Sequence, residues 1–273
     1  MARIELLAIG KELLIGKTLN TNAYWIGGRL ARIGSMLDRI TTVDDDLKEI
    51  SSAALEALER HPDFLLLVGG LGPTPDDMTL HGIARGIGRK LAPNRDATMM
   101  VVGHYKDIGR GDLELTQARR KMAMLPHGST PLRNRLGTAP GVRMEEGRTV
   151  IFCLPGVPRE MKSIFMDSVE KEIRKKIGKL FSRKVVMNLE GIFESTLAPI
   201  IKETLRKYPD AYIKSHPKGV EEGVSKIELD IVSVSRIKRT AELAQEIAAG
   251  MKDQIARAGG AVASTKSSLS SPP

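Results

Sequence analysis

Asp76 and Asp77 follow a glycine-rich turn in the stretch FLLLVGGLGPTPDDMT, residues 64–79. Gly69, Gly70 and Gly72 let a backbone approach a bound group closely. A helix opening at Thr79 would aim its first N–H groups at an anion. Two carboxylates at the same place would repel a bare anion. The combination points to a phosphate bridged by a divalent cation. The backbone amides of Gly69, Gly70, Leu71 and Gly72 are suited to hold the phosphate, and the hydroxyls of Thr74 and Thr79 to add hydrogen bonds. The competing reading is structural: one or both aspartates cap the following helix.

Such a turn needs a sheet behind it. The unbroken apolar run 64–68 suits a strand buried on both faces, and ligands of open α/β sheets bind beyond the carboxyl ends of such strands. Residues 3–9 read as a first strand, followed by Gly10, Lys11 and Glu12. Asn20 or Asn22 caps a helix reaching about Leu30 or Ile33, stopped by Gly34, with Trp25, Ile26 and Leu30 toward the sheet. Residues 36–43 read as a second strand. Asp44, Asp45 and Asp46 invite a metal-site reading, but Asp46 followed by Glu49 resembles a capping box opening a helix over 47–60. Strand, helix, strand, helix, strand argues for parallel crossovers in an α/β fold.

Beyond Thr79 the pattern predicts helices over 79–87, 94–108 and 115–125, and a short strand within 127–132. Gly137, Pro140 and Gly141 mark a loop. Residues 142–144 and 149–154 flank a hairpin turn. The turn LPGVPREM then leads into a helix from about 159 to 177. The basic stretch 178–184 reads as a boundary. A small α+β unit follows, with strands at 184–189, 211–215 and 226–234 and helices at 194–207 and 236–257. The resulting division is 1–178, 184–262, and a Ser- and Pro-rich tail, 263–273, expected to be disordered.

The chain has 273 residues, 41% apolar and 27% charged, the composition of an ordinary globular protein. No apolar run is long enough for a membrane span, and the N-terminus lacks a secretory signal, so a cytoplasmic location is expected. The single cysteine, Cys153, excludes an internal disulfide and sits in an apolar run, where it is expected to be buried and inert. The net charge is +9, and RKKIGKLFSRK at 174–184 is wholly basic among its charged residues. This raises nucleic-acid binding as an alternative. The aromatic content of 4% supplies few stacking platforms, which makes a solvated helix end the simpler reading. His81, His104 and His127 lack a shared metal-ligand spacing, and no Ser-His-Asp or Cys-His arrangement is evident.

Several motifs occur in one order: GKELLIGKTLNTN at 10–22, GGLGPTPDDMT at 69–79, GTAP at 137–140, LPGVPREM at 154–161, GIFESTLAPII at 191–201 and YIKSHPKG at 212–219. Together they resemble the CinA amino-terminal domain family, within the MoaB/MogA-like molybdopterin-binding superfamily. The resemblance covers all but the tail. It implies a three-layer αβα domain with a mostly parallel sheet, a second small α+β domain and a homodimer. Full-length members carry a further carboxyl-terminal deamidase domain, which this sequence does not reach. The resemblance implies divalent-metal-dependent hydrolysis of ADP-ribose to AMP and ribose 5-phosphate, with Co²⁺, Mg²⁺ or Mn²⁺ and assistance from K⁺. The alternative it implies is binding or adenylylation of molybdopterin. Relatives that make that cofactor usually show GGTG and an Arg-Asp pair where this chain has GGLG and Asp76-Asp77. On the family motifs Glu12 joins Asp76 and Asp77 as catalytic and metal-binding residues. Asn20, Asn22, Gly156, Glu160 and Lys214 join the substrate contacts. For each a structural role stands beside the functional one: caps for the asparagines, a turn and helix start for Gly156 and Glu160, a surface lysine for Lys214.

Overall fold

A computed structural model describes residues 2–110, 114–178, 181–235 and 242–270. The chain divides into two compact units, residues 1–31 with 35–177, and residues 32–34 with 178–273.

The first unit is an α/β fold around a six-stranded sheet. Its strands are β1 (Ile4–Ile9), β2 (Arg39–Val43), β3 (Phe64–Val68), β6 (Thr130–Leu132), β7 (Gly141–Glu146) and β8 (Thr149–Leu154), in the order β2-β1-β3-β8-β7-β6. The β2-β1, β1-β3 and β3-β8 pairs are parallel; β8-β7 and β7-β6 are antiparallel. β1, β3 and most of β8 are buried on both faces, which is why they read as continuous apolar runs. Leu7, Ile9, Leu65, Leu67, Ile151 and Cys153 belong to the core shared with helices α3 (Leu47–Glu59), α4 (Thr79–Gly86) and α5 (Arg95–Asp107). The alternate residues Leu6, Leu66 and Phe152 point to the other face by strand periodicity. There α2 (Thr21–Arg32) meets the chain from α7 (Pro158–Ile164) through a π-helical turn (Phe165–Val169) to α8 (Glu170–Ile177). Trp25 stands edge-on to Phe165 at 5.6 Å between centroids, and Arg29 makes paired bonds of 2.6 and 3.1 Å to buried Glu170. The strand order reverses between β1 and β3, with α2 and α3 crossing on opposite faces.

Local signals explain most of these elements. Asp46 caps α3 by accepting the Lys48 and Glu49 N–H groups at 2.7 and 3.2 Å, as its position before the helix demands. Asn94 caps α5 through the Ala97 N–H at 2.9 Å. One expectation needs correction, and two elements add detail. Residues 115–125 hold only the short helix α6 (Gln117–Lys121), and Met124–Pro126 is a strand, β5, antiparallel to β4 (Leu91–Pro93). The helix expected over 159–177 runs unbroken from Pro158 to Ile177 with a π-helical turn, Phe165–Val169, inside it. Lys11–Leu14 forms a short helix, α1, directly after β1.

The second unit runs β9 (Phe181–Glu190), α9 (Glu194–Lys207), β10 (Tyr212–Glu221), β11 (Val224–Ser235), α10 (Leu243–Arg257) and β12 (Ala261–Ser270). Its antiparallel sheet has the order β10-β11-β9-β12, the split βαβ arrangement of ferredoxin-like units. The expected disordered tail is corrected here. Residues 261–270 pair with β9 along its length, so the polar Ser-rich segment is an edge strand; residues 271–273 lie outside the described residues. Residues 236–241, expected as the start of the last helix, also lie outside them. The basic run is divided between the two units, and several of its described charges are paired. Arg174 pairs with Glu170 and Lys176 with Asp63 in the first unit. Lys184 pairs with Asp230 at 2.7 Å inside the second sheet. Among the described residues no helix is long and apolar enough to cross a membrane.

Cys153 is fully buried, and burial pushes its thiol up to about 12. We therefore expect native protein to resist alkylation at pH 8 and to react at once in denaturant. Labelling followed by mass measurement checks this; fast labelling of the native state would contradict the burial.

Candidate functional site

The turns after β1, β3 and β8 lie side by side on the carboxyl edge of the sheet, at the reversal of strand order where α/β proteins bind ligands. Gly69 continues the ladder through its N–H to Leu154 O at 3.0 Å. It has φ +116°, and a Cβ there would overlap the Ile9 carbonyl oxygen, so the close approach of two strand ends requires glycine. Gly156 lies against it: a Cβ on Gly156 would be 3.5 Å from the Gly69 Cα.

Thr79 fixes this turn from below. It is fully buried, its hydroxyl donates to Gly69 O at 2.7 Å, and its N–H donates to Gly70 O at 3.2 Å. Thr79 therefore clamps the loop. The Gly69 amide, likewise, is occupied by the sheet. Among the described residues the amides of Gly70, Leu71 and Gly72 have no hydrogen-bond partner.

Asp76 and Asp77 do not cap α4, whose N-cap position is Met78 without a side-chain bond. Both turn back onto Thr74. The Thr74 Oγ1 lies 2.5 Å from Asp76 Oδ1 and 2.6 Å from Asp77 Oδ2, and Asp77 Oδ2 also accepts the Thr74 N–H at 2.8 Å. One hydroxyl proton thus faces two carboxylates. The Thr74 hydroxyl chiefly, then the Asp76 N–H and the Lys121 charge, hold Asp76 below the usual carboxylate range against a small desolvation cost. Gly72 makes room for the pair, since a Cβ there would come within 2.6 Å of Asp77 Oδ2. Lys121, at the end of α6, donates to the Thr74 carbonyl. Nothing in local sequence links Lys121 to this loop; only the packing of α6 brings it there.

Gly156 lines two cavities. The smaller, about 110 Å³, is lined by Glu12, Asn20, Asn22 and Gly156 among others. The larger, about 390 Å³, is lined by Gly70, Leu71, Gly72, Asp77, Gly156 and Glu160 with Thr138 and Ala139. Asn20 is the cap of α2, accepting the Ala23 N–H at 3.0 Å. Asn22 bridges instead, its Nδ2 donating to Gly156 O at 2.7 Å, while its buried Oδ1 has no partner. Glu160 accepts from Asn134 Nδ2 at 2.6 Å. Lys214 belongs to the second unit, exposed on β10 opposite Asp230.

The edge is acidic beyond the residues singled out from sequence. Burial, then the charges of Glu12, Asp44 and Asp76, push Asp45 up; its bond from the Lys11 N–H at 2.8 Å opposes them. Asp45 follows β2, which pairs with β1, so the sheet brings the second acidic cluster to Glu12. Among the described residues no three His, Cys, Asp or Glu side chains converge as a ready metal-binding group. Asp76 and Asp77 share one hydroxyl, and Glu12 lies in the neighbouring cavity. His104 lies on α5, and His81, whose charged form is disfavoured by burial and then by Lys121, lies on α4.

A doubly wound sheet with a glycine turn and acidic loop at its switch point defines an α/β ligand-binding protein. The chain belongs to the molybdopterin-binding domain family of the CinA type: the model described as a probable molybdopterin binding domain matches residues 5–175. It is 37% identical over 261 residues to a protein of Pyrobaculum arsenaticum, covering 95% of this chain and 97% of that one. It is 40% identical over 257 residues to one of Metallosphaera sedula, covering 94% and 95%. The solved protein CinA of unknown function from Thermoplasma acidophilum is 41% identical, with a TM-score of 0.56, over 63% of this chain and 98% of that chain.

Proposed function

We propose that the double cavity at the β1-β3-β8 edge binds a phosphate-bearing organic ligand, with molybdopterin as the first class on the strength of the family. The observation that carries this reading is the set of unpartnered amides at Gly70, Leu71 and Gly72, beside a cavity deep enough for a heterocycle. The amides would hold phosphate oxygens, and Asn22 and Glu160 would offer polar groups to the organic part.

A second reading is favoured by the Asp76-Asp77 pair: hydrolysis of the pyrophosphate bond of ADP-ribose to AMP and ribose 5-phosphate. All the donors near the loop are oxygens, which suits a hard or borderline divalent cation such as Mg²⁺, Mn²⁺ or Co²⁺. Two carboxylate oxygens on one hydroxyl leave negative charge that such a cation would relieve. When bound, it would offset phosphate charge and acidify a water. Asp76 and Asp77 would hold it, with Glu12 facing it from the adjoining cavity. One of these carboxylates would take the proton of the attacking water.

One experiment separates the readings. Purified protein is titrated with molybdopterin by pterin fluorescence. In parallel it is incubated with ADP-ribose, NAD and ATP, with each divalent cation, with and without K⁺. Saturable pterin binding without AMP release supports the first reading. Metal-dependent AMP release supports the second. Neither binding nor release would overturn both.

A further inference from the structure

The wall of the larger cavity opposite the glycine loop is the connection between β6 and β7, residues 133–140. Thr138 and Ala139 face the cavity. On its other side Arg133, Asn134 and Arg135 border a separate groove of about 750 Å³ against α5. Ala139 anchors the far end of this connection in the hydrophobic core, while residues 133–136 lie between the two open spaces. Beyond Ala139 and an exposed ion pair from Arg135 to Asp167 at 3.2 Å, what holds residues 133–137 is side-chain hydrogen bonding.

Those bonds converge on Asn134. The residue is only 8% exposed. Its Nδ2 donates to Ala139 O at 2.8 Å and to Glu160 Oε2 at 2.6 Å, and its Oδ1 accepts the Leu136 N–H at 3.1 Å. The side chain therefore spans its own loop and ties it to the first turn of α7. Gly137 lies where any Cβ would overlap the Glu160 carboxylate, so the loop and that carboxylate are fitted to each other. No sequence motif announces Asn134; it lies just outside GTAP.

We propose that Asn134 is a positioning residue. It sets the direction of the Glu160 carboxylate into the cavity and holds residues 136–139 as the cavity wall. The inference rests on the cavity being the ligand site only for its binding arm; the loop arm is independent of any ligand.

The loop arm is amide exchange by mass spectrometry across residues 133–140. Asn134→Ala removes all three bonds and should speed exchange about 10-fold or more, equally at pH 5 and pH 7 after correction for intrinsic rates. Asn134→Asp sets a carboxylate against Glu160. One of the pair is then pushed up, so its loop should be loosest at pH 7 and tighten toward pH 5 as the two carboxyls share a proton. A bulk structural role would loosen both variants alike with no pH difference. Glu160→Gln keeps an acceptor for Asn134 and should leave exchange near wild type. Should Asn134→Ala not fold, Glu160→Ala cuts the tie from its more exposed end and should loosen the same amides. Unchanged exchange in Glu160→Ala and Asn134→Asp would overturn the proposal. The binding arm uses ADP-ribose with Mg²⁺: Asn134→Ala should weaken its binding about 10-fold. Loop loosening in a protein whose wild type binds no ADP-ribose would refute ADP-ribose as the ligand, without touching the molybdopterin reading, and leave Asn134 as the loop's anchor.

Discussion

Under the hydrolytic reading, Asp77→Asn is expected to abolish the cation dependence that reading assigns to the cleft while leaving the loop folded. The amide retains an oxygen that can accept the Thr74 N–H, now held by the Asp77 carboxylate at 2.8 Å. The turn over Gly72 therefore persists, and the change removes charge more than shape. Under the hydrolytic reading AMP release should fall on the order of 10²-fold or more, since even groups supporting a metal ligand typically contribute 10- to 100-fold. The stabilisation by Mg²⁺ or Mn²⁺ seen as a rise in thermal midpoint should shrink with it. Asp77→Ala should do worse, because it also orphans the Thr74 amide. Retained turnover and retained metal stabilisation in Asp77→Asn would remove the pair from the chemistry.

The same loop fixes a pH dependence. Asp76 is held below the usual carboxylate range, first by the Thr74 hydroxyl. A depressed carboxyl keeps its charge, and any cation bound through it, as pH falls below the ordinary range. That interaction is lost only when pH passes the folded value. Asp45 runs the opposite way. Its raised value means it gains a proton before an unfolded aspartate would, so its charge opposes the fold at neutral pH. Of the two, Asp45 alone carries charge that its surroundings disfavour at pH 7, and it is the physical ground for testing a cation beside Glu12.

The sequence was most legible where one face or both faces of an element are buried by regular periodicity. The run 64–68, the Asp46 cap and the hairpin around 145–148 needed only local rules. Relations set by the sheet were less visible. Asp45 looked like part of a helix entry, and only the β1-β2 register puts it beside Glu12. Lys121 and Asn134 act through contacts 47 and 26 residues away in sequence, and neither residue type carries a signal by itself. Met124 and Leu125 read as helix because they continue a helical pattern, yet pairing with β4 overrides propensity. The strands β10 and β11 extend to a two-residue turn at Glu222 and Gly223, with φ of +51° and +81°. Glu-Gly is a weaker hairpin signal than Asn-Gly, so both strands were read short. The tail misled because Ser-rich composition marks disorder, whereas an edge strand with one paired side tolerates the same residues. In the site, the motif glycines were legible as a group, but their division of labour was not. Gly69 serves the sheet, Gly72 makes room for Asp77, and Thr79 holds the loop.

That division predicts opposite outcomes at two neighbouring glycines. Gly69→Ala should be the most damaging single change in the first unit. Its φ of +116° is outside the region alanine adopts, and the new Cβ would overlap Ile9 O with Ile9 C only 3.2 Å away. The obstacle is backbone in a buried strand, so it cannot swing aside. Relief requires moving the ends of β1 and β3 apart, which breaks the Gly69 N–H bond to Leu154 O and the Thr79 bond to Gly69 O. Backbone strain of about 1–3 kcal/mol and two buried hydrogen bonds at about 1 kcal/mol each sum to about 4 kcal/mol. Urea unfolding should show this as a large fall in midpoint at unchanged slope. Gly28→Ala, in α2 with open space around it, should be neutral or slightly stabilising and controls for the chemistry of the change. Gly156→Ala should separate stability from binding. Its Cβ would meet Gly69 Cα at an ordinary 3.5 Å, so the fold should tolerate it. Gly156 lines both cavities, so the added methyl should cost a ligand bound there affinity with little change in urea midpoint. A destabilised Gly156→Ala with intact binding, or a Gly69→Ala as stable as wild type, would mean that the two turns are not packed as described.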